Sequence, residues 1–252
     1  MEEAQLIELT PFQNYPLKQI GGKAFNLQFL ISHDLPVPRT FVLDSRTVAK
    51  FLNQNNVIEE IFTSLRSDLM YAIRSSGISE DGVKYSYAGM FESFLNVPKH
   101  AIPRCILLCA RSAENPRLCA YERSLGIIGN QRIAVIVQEM VPADFAGICF
   151  TSHPITAQDD RLLVEMGPGF GDKIVSGAVI PITATICKET GDMLCSSRGD
   201  YPSVPLQLFP ARRLKDLAVE IERLYGNPVD IEWAVCGDKV IILQTRRITS
   251  MN

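Results

Sequence analysis

Nowhere does the sequence hold a run of apolar residues near the ~18 that a membrane-spanning helix needs. Its first ten residues, MEEAQLIELT, are acidic and polar where a secretory leader would be basic and then apolar. A soluble, cytoplasmic chain is expected. Basic charge is not in excess either: 25 Lys and Arg stand against 28 Asp and Glu, a net charge of −3, which leaves no broad positive field for nucleic acid. An anionic ligand must be held by a few placed cations. The seven cysteines include no CxxC pair, and no histidine stands at zinc-finger spacing from them, so reduced and mostly buried thiols are expected. His33, His100 and His153 each lack a Ser, Cys or metal-ligand partner at a telling spacing, which argues against a nucleophilic triad and against a phospho-acceptor histidine in this chain. The glycine-rich stretch MGPGFGDK at 166–173 fits neither G-x-x-x-x-G-K-[ST] nor G-x-G-x-x-G.

What is present suffices for a sizeable core. The chain has 252 residues, of which 46% are hydrophobic, enough for one large domain or two joined lobes without a staple. After Gly21-Gly22, apolar Ala24, Leu27 and Leu30 recur at helical spacing in 23–32, so a glycine turn opening a helix is expected. Short amphipathic helices are expected at 46–53 and 58–65, strands at 71–74 and 91–97 with a polar loop between them, and helices at 103–112 and 116–125. From Arg132 the signal turns to Val-, Ile- and Thr-rich strands at 133–137, 147–151, 162–165 and 183–187. A helix returns at 211–225, with Leu214, Leu217, Ala218, Ile221 and Leu224 on one stripe and Gly226 as its stop. Two strands, 229–235 and 240–246, close the chain. The class is α+β, read as a helix-rich lobe over 1–131 and a strand-rich lobe over 132–252.

The last two strands carry the most chemistry. Alternation sets Asp230, Glu232 and Ala234 on one face, and Ile242, Gln244 and Arg246 share a face of the next strand. A three-residue loop, Gly237-Asp238-Lys239, would pair Glu232 with Gln244 and Asp230 with Arg246, whereas a two-residue loop would set Glu232 against Leu243 and dissolve the patch. Carboxylate and amide oxygens suit Mg²⁺, and an adjacent Arg suits a phosphate oxygen. A solvated cross-strand ion pair explains Asp230 and Arg246 equally well. Gly21-Gly22-Lys23 would let backbone amides and a Lys meet an anion at a helix start, and Arg74-Ser75-Ser76 would present a cation at a strand end; a plain helix-start turn and a surface loop are the simpler readings.

Taken in order, six segments resemble the N-terminal ATP-binding domain of the PEP synthase and pyruvate phosphate dikinase family, which includes rifampin phosphotransferases. They are GGKAFNL (21–27) with LPVPRTF (35–41), AIRSS (72–76) with YAGMFESFLNV (87–97), VQEMV (137–141) with GICFTSHPIT (147–156), GPGFGDKIVSGAVIP (167–181), DIEWAV (230–235) and ILQTRRIT (242–249). The resemblance implies an ATP-grasp fold, two lobes clasping a nucleotide. It also implies that Lys23 and Arg74 hold ATP phosphates, that Gln138, Glu139 and Met140 meet the adenine, and that Glu232 and Gln244 bind magnesium with Asp230 and Arg246 beside them. Gly89 and Thr151 would line the same site, and Lys23, Arg74 and Arg246 would serve catalysis. Arg247 stands where family members usually have Pro, and Asp172 where many have Glu. The implied activity is that of a stand-alone ATP-binding subunit using Mg-ATP to phosphorylate a histidine on a separate partner and releasing AMP. The partner would pass the phosphoryl group to pyruvate, a phenol, an antibiotic or a biosynthetic intermediate held on an acceptor-binding protein or domain. The rival readings are an ATP-grasp ligase that forms an acyl phosphate and releases ADP, and a non-catalytic nucleotide-binding module.

Overall fold

The computed structural model describes residues 4–77, 92–113, 133–154 and 159–248. It forms two compact units, one of Met1–His33 with Pro38–Met140 and one of Asp34–Val37 with Val141–Asn252. The division falls after Met140 rather than at 131/132. The reason is strand β5 (Ile133–Glu139), which belongs to the sheet of the first unit, flanked there by strands on both sides.

That sheet has five strands, in the order β1 (Ile7–Glu8), β2 (Thr40–Leu43), β5, β3 (Met70–Gly77) and β4 (Ser93–Pro98), all neighbours antiparallel. The run IAVIV in β5 is buried on both sides, which is why it reads as continuously apolar rather than alternating. One face packs against α2 (Ser45–Gln54) and α3 (Ile102–Ser112), where Val48, Phe51, Ile106 and Cys109 cluster with Phe41, Tyr71, Ile73, Val135 and Val137. Helix α1 (Leu17–Ser32) packs on β3 and β5. It extends upstream of the expected start at Lys23, but Gly21, with φ 77° and ψ 170°, breaks it, so the turn begins a new helical run as the glycines predict. The stretch at 58–65 is a 3-10 turn over Glu59–Phe62 instead of a helix. The expected helix at 116–125 lies outside the described residues.

The second unit carries a six-stranded antiparallel sheet, ordered β11 (Lys239–Arg247), β10 (Val229–Cys236), β6 (Phe145–Phe150), β7 (Arg161–Pro168), β8 (Ile182–Cys187) and β9 (Met193–Ser197). A one-turn helix, α4 (Asp172–Val175), follows β7, and α5 (Ala211–Tyr225) buries Leu214, Ala218 and Ile221 against β8, β10 and β11. Phe209 bridges Phe145 and the fully buried Trp233, with ring centroids 5.9 and 5.3 Å apart. Asp34–Val37 joins this unit because the Pro36 carbonyl accepts from the Ile242 amide at 2.7 Å, capping the outer edge of β11. Among the described residues no helix is long and apolar enough to cross a membrane.

Candidate functional site

In the first unit the GGK and RSS motifs meet. A Cβ at Gly21 would lie 2.0 Å from the Ser76 carbonyl oxygen, so only glycine lets the α1 turn rest directly on the β3 backbone, and φ 77° suits glycine as well. The Ala24 amide donates to Ser76 Oγ at 3.0 Å, satisfying one of the first-turn amides that a helix leaves unpaired. Lys23 therefore stands at a helix start fixed against the strand that carries Arg74, and strand alternation puts Arg74 on the same face as Ser76.

The VQEM segment divides between two faces. Gln138 pairs with Ala72 and Thr40 in the ladder, is buried, and donates to Thr40 Oγ1 at 3.0 Å. Glu139 lies opposite Tyr71 on the other face, where its carboxylate is 3.9 Å from Arg39, itself doubly bonded to Glu8 at 2.6 and 2.8 Å. The Glu139 and Met140 amides donate to the Arg39 and Met70 carbonyls.

In the second unit the hairpin differs from expectation in its turn and agrees in its result. Cys236 pairs with Lys239 across a two-residue turn, Gly237-Asp238, and Trp233 pairs with Ile242. A bulge at Leu243 then shifts the register, so that Glu232 opposes Gln244 and Asp230 opposes Arg246 after all. Directly paired residues share a face, so Ile242 sides with Trp233, while Gln244 and Arg246 are turned to the face of Glu232 and Asp230. Arg246 Nε donates to Asp230 Oδ2 at 2.6 Å. Burial pushes the Asp230 carboxyl above the usual range; Arg246 opposes this, and the nearby Glu232 and Glu165 add to it. Glu165 is not among the residues that the sequence singles out. Register places Gln244, Glu232, Ile148, Glu165 and Thr183 in one row across five strands, on the face opposite that packed by α5.

Thr151 is fully buried. Its Oγ1 accepts from the Val229 amide at 2.8 Å and its own amide donates to the Val229 carbonyl at 2.9 Å, so it ties the end of β6 to the start of β10, one residue before Asp230. Gly89 lies outside the described residues. Among the described residues no group of three or more His, Cys, Asp or Glu is arranged to hold a metal ion. Glu232 and Gln244, facing each other on adjacent strands, are nonetheless the oxygen donors that suit Mg²⁺, which takes few protein ligands and completes its shell from water and phosphate.

Residues 62–207 and 203–252 match the family described as pyruvate phosphate dikinase, AMP/ATP-binding domain. The chain belongs to this family, and its α+β architecture is the ATP-grasp fold that the motifs lead one to expect. Among curated relatives, a probable phosphoenolpyruvate synthase of Archaeoglobus fulgidus is 29% identical over 92% of this chain and 40% of its own length. The prodigiosin synthesizing transferase PigC of Serratia marcescens is 28% identical over 99% of this chain and 34% of its own. A rifampicin phosphotransferase of Streptomyces sviceus is 34% identical over 72% of this chain and 23% of its own. The chain thus spans well under half of these relatives. A solved D-alanine–D-alanine ligase from Helicobacter pylori aligns with a TM-score of 0.44 and 10% identity over 90% of this chain and 54% of its own, too distant to add to the assignment.

Proposed function

We propose that this chain is the ATP-binding part of a dikinase-type phosphotransferase that uses Mg-ATP to phosphorylate a histidine on a partner domain or protein. In this reading the histidine nitrogen attacks the β-phosphorus, the bond from that phosphorus to the α–β bridging oxygen breaks, and AMP leaves. Water then attacks the terminal phosphorus of the pyrophosphohistidine, the P–O–P bond breaks, and phosphate leaves a phosphohistidine behind. The partner delivers that phosphoryl group to an acceptor of the kinds named for the relatives, such as pyruvate or an antibiotic. The chain's own work is to hold and neutralise the triphosphate. Lys23 at its helix start and Arg74, which lies within β3 rather than at the strand end expected of it, act on phosphate oxygens. Arg246, paired with Asp230, sets its positive charge toward the transferred group. Glu232 and Gln244 would hold magnesium, which when bound offsets phosphate charge.

The observation that carries the reading is the pairing of Glu232 with Gln244 beside the Asp230–Arg246 ion pair, on one sheet face of a chain from this family. Calorimetric titration with Mg-ATP tests it, repeated with Glu232→Ala and Gln244→Ala. Saturable binding that weakens in both variants is expected, with AMP formed once a histidine-bearing partner is added. Release of ADP with an acyl acceptor instead would identify a ligase, and binding without turnover with any partner would identify a nucleotide-binding module.

A further inference from the structure

Gln244 and Arg246 sit where a strand is least firmly held. β11 is an edge strand of its sheet, so one ladder fixes it, and that ladder is interrupted by the bulge immediately before Gln244. A slip of one residue there would turn both side chains to the opposite face. Upstream of the bulge, Ile242 is anchored to Pro36. Downstream, the ladder resumes to Val229 and the Ile248 amide donates to the Pro228 carbonyl at 3.0 Å, and a side-chain anchor is added from the other face. Thr245, 1% exposed and paired with buried Ile231, has its Oγ1 2.8 Å from the hydroxyl of Tyr225. Tyr225 is the last residue of α5, and the helix is closed behind it by Gly226 at φ 63°, whose amide returns to the Glu222 carbonyl at 2.9 Å. The tyrosine hydroxyl is thus presented from a fixed helix end.

We propose that Tyr225 is a positioning residue which, through Thr245, holds the bulged segment of β11 in the register that sets Gln244 opposite Glu232 and Arg246 opposite Asp230. The proposal rests on the reading of those four residues as the magnesium and phosphate group. It assigns to a helix end on one side of the sheet the task of fixing ligands on the other.

Tyr225→Phe keeps the ring and removes only the hydroxyl. In the purified chain, amide hydrogen exchange at Gln244 to Arg246 is expected to accelerate about tenfold, with β7 and β8 unchanged. The Kd for Mg-ATP should rise about five- to tenfold. Thr245→Val should reproduce both effects, Thr245→Ser should retain wild-type values, and the Tyr225→Phe/Thr245→Val pair should be no worse than either single change. Wild-type exchange in Tyr225→Phe overturns the proposal, as does loosened exchange with unaltered Mg-ATP binding in a protein whose parent binds the nucleotide. If the parent chain binds no Mg-ATP, the nucleotide reading fails by itself, and the exchange rates still decide whether Tyr225 holds the register.

Discussion

Arg246 and Asp230 form an ion pair of unequal partners: the carboxylate side chain is 7% exposed and the guanidinium 48%, with Nε and Oδ2 2.6 Å apart. The carboxylate has given up its water and the arginine has not.

Removing the arginine therefore harms more than removing the pair. Arg246→Ala leaves a buried carboxylate uncompensated and should cost about 1–2 kcal/mol of unfolding free energy, less than for a fully buried pair because Arg246 is half solvated. Adding Asp230→Asn to Arg246→Ala should recover most of that loss. Urea unfolding of the two single variants and the double variant measures the cycle, and additivity of the single effects would refute the coupling.

The bulge at Leu243 makes an unusual prediction for deletion. Without Leu243, Gln244 follows Ile242 directly, and a regular ladder from the two-residue turn already sets Gln244 opposite Glu232. The deletion should retain Mg-ATP binding within a few-fold. Inserting one alanine after Leu243 should instead part Gln244 from Glu232, turning it to the helix-covered face if the bulge is kept or moving it opposite Asp230 if the strand runs straight, and reduce binding as severely as Gln244→Ala. Calorimetry on both variants compares them directly.

Gly21 tolerates no side chain. Its φ is 77°, and a methyl carbon there would stand 2.0 Å from the Ser76 carbonyl oxygen, so Gly21→Ala must push the α1 start off β3. A loss of at least about 2 kcal/mol is expected from the left-handed backbone and the backbone clash together. Alanine at exposed Gly177, where nothing lies within 4 Å, should cost only the backbone part, about 1 kcal/mol. Thermal unfolding of both variants separates the two contributions.

Cysteine reactivity should follow environment. Cys187 receives hydrogen bonds from Thr190 and Glu189, which lower its thiol pKa, whereas burial pushes the Cys149 thiol well up, with Asp230 adding to the effect. At pH 8 limited iodoacetamide should label Cys187 well ahead of Cys149, as read by peptide mass spectrometry. Comparable labelling of the two in the folded protein would contradict the burial of Cys149.

Much of the fold is legible along the chain because it depends on local periodicity. The stripe Leu214–Ala218–Ile221 marks α5 to its observed ends, and Gly21-Gly22 marks the helix break. β2 escapes a reading of periodicity because its four fully buried residues, TFVL, show no alternation. A domain boundary drawn at Arg132 falls too early because strand-rich sequence reads alike whichever sheet it joins; β5 goes to the first unit by its partners β2 and β3. The length of the hairpin's turn is equally hidden, since Lys239 as a loop residue and Leu243 as a bulge residue absorb the same extra position in the sequence.

The sequence by itself determined which side chains are available: a lysine behind paired glycines, an arginine ahead of paired serines, and Asp230, Glu232, Gln244 and Arg246 on two consecutive strands. These follow from composition and short-range spacing, which the covalent chain dictates. Tertiary structure alone decided that Glu165 joins the row of Glu232, that Ser76 caps the helix start of Lys23, and that Tyr225 reaches Thr245 from behind. Such neighbours are set by strand order and helix docking, which minimise exposed apolar surface over the whole unit and leave no local trace in the sequence.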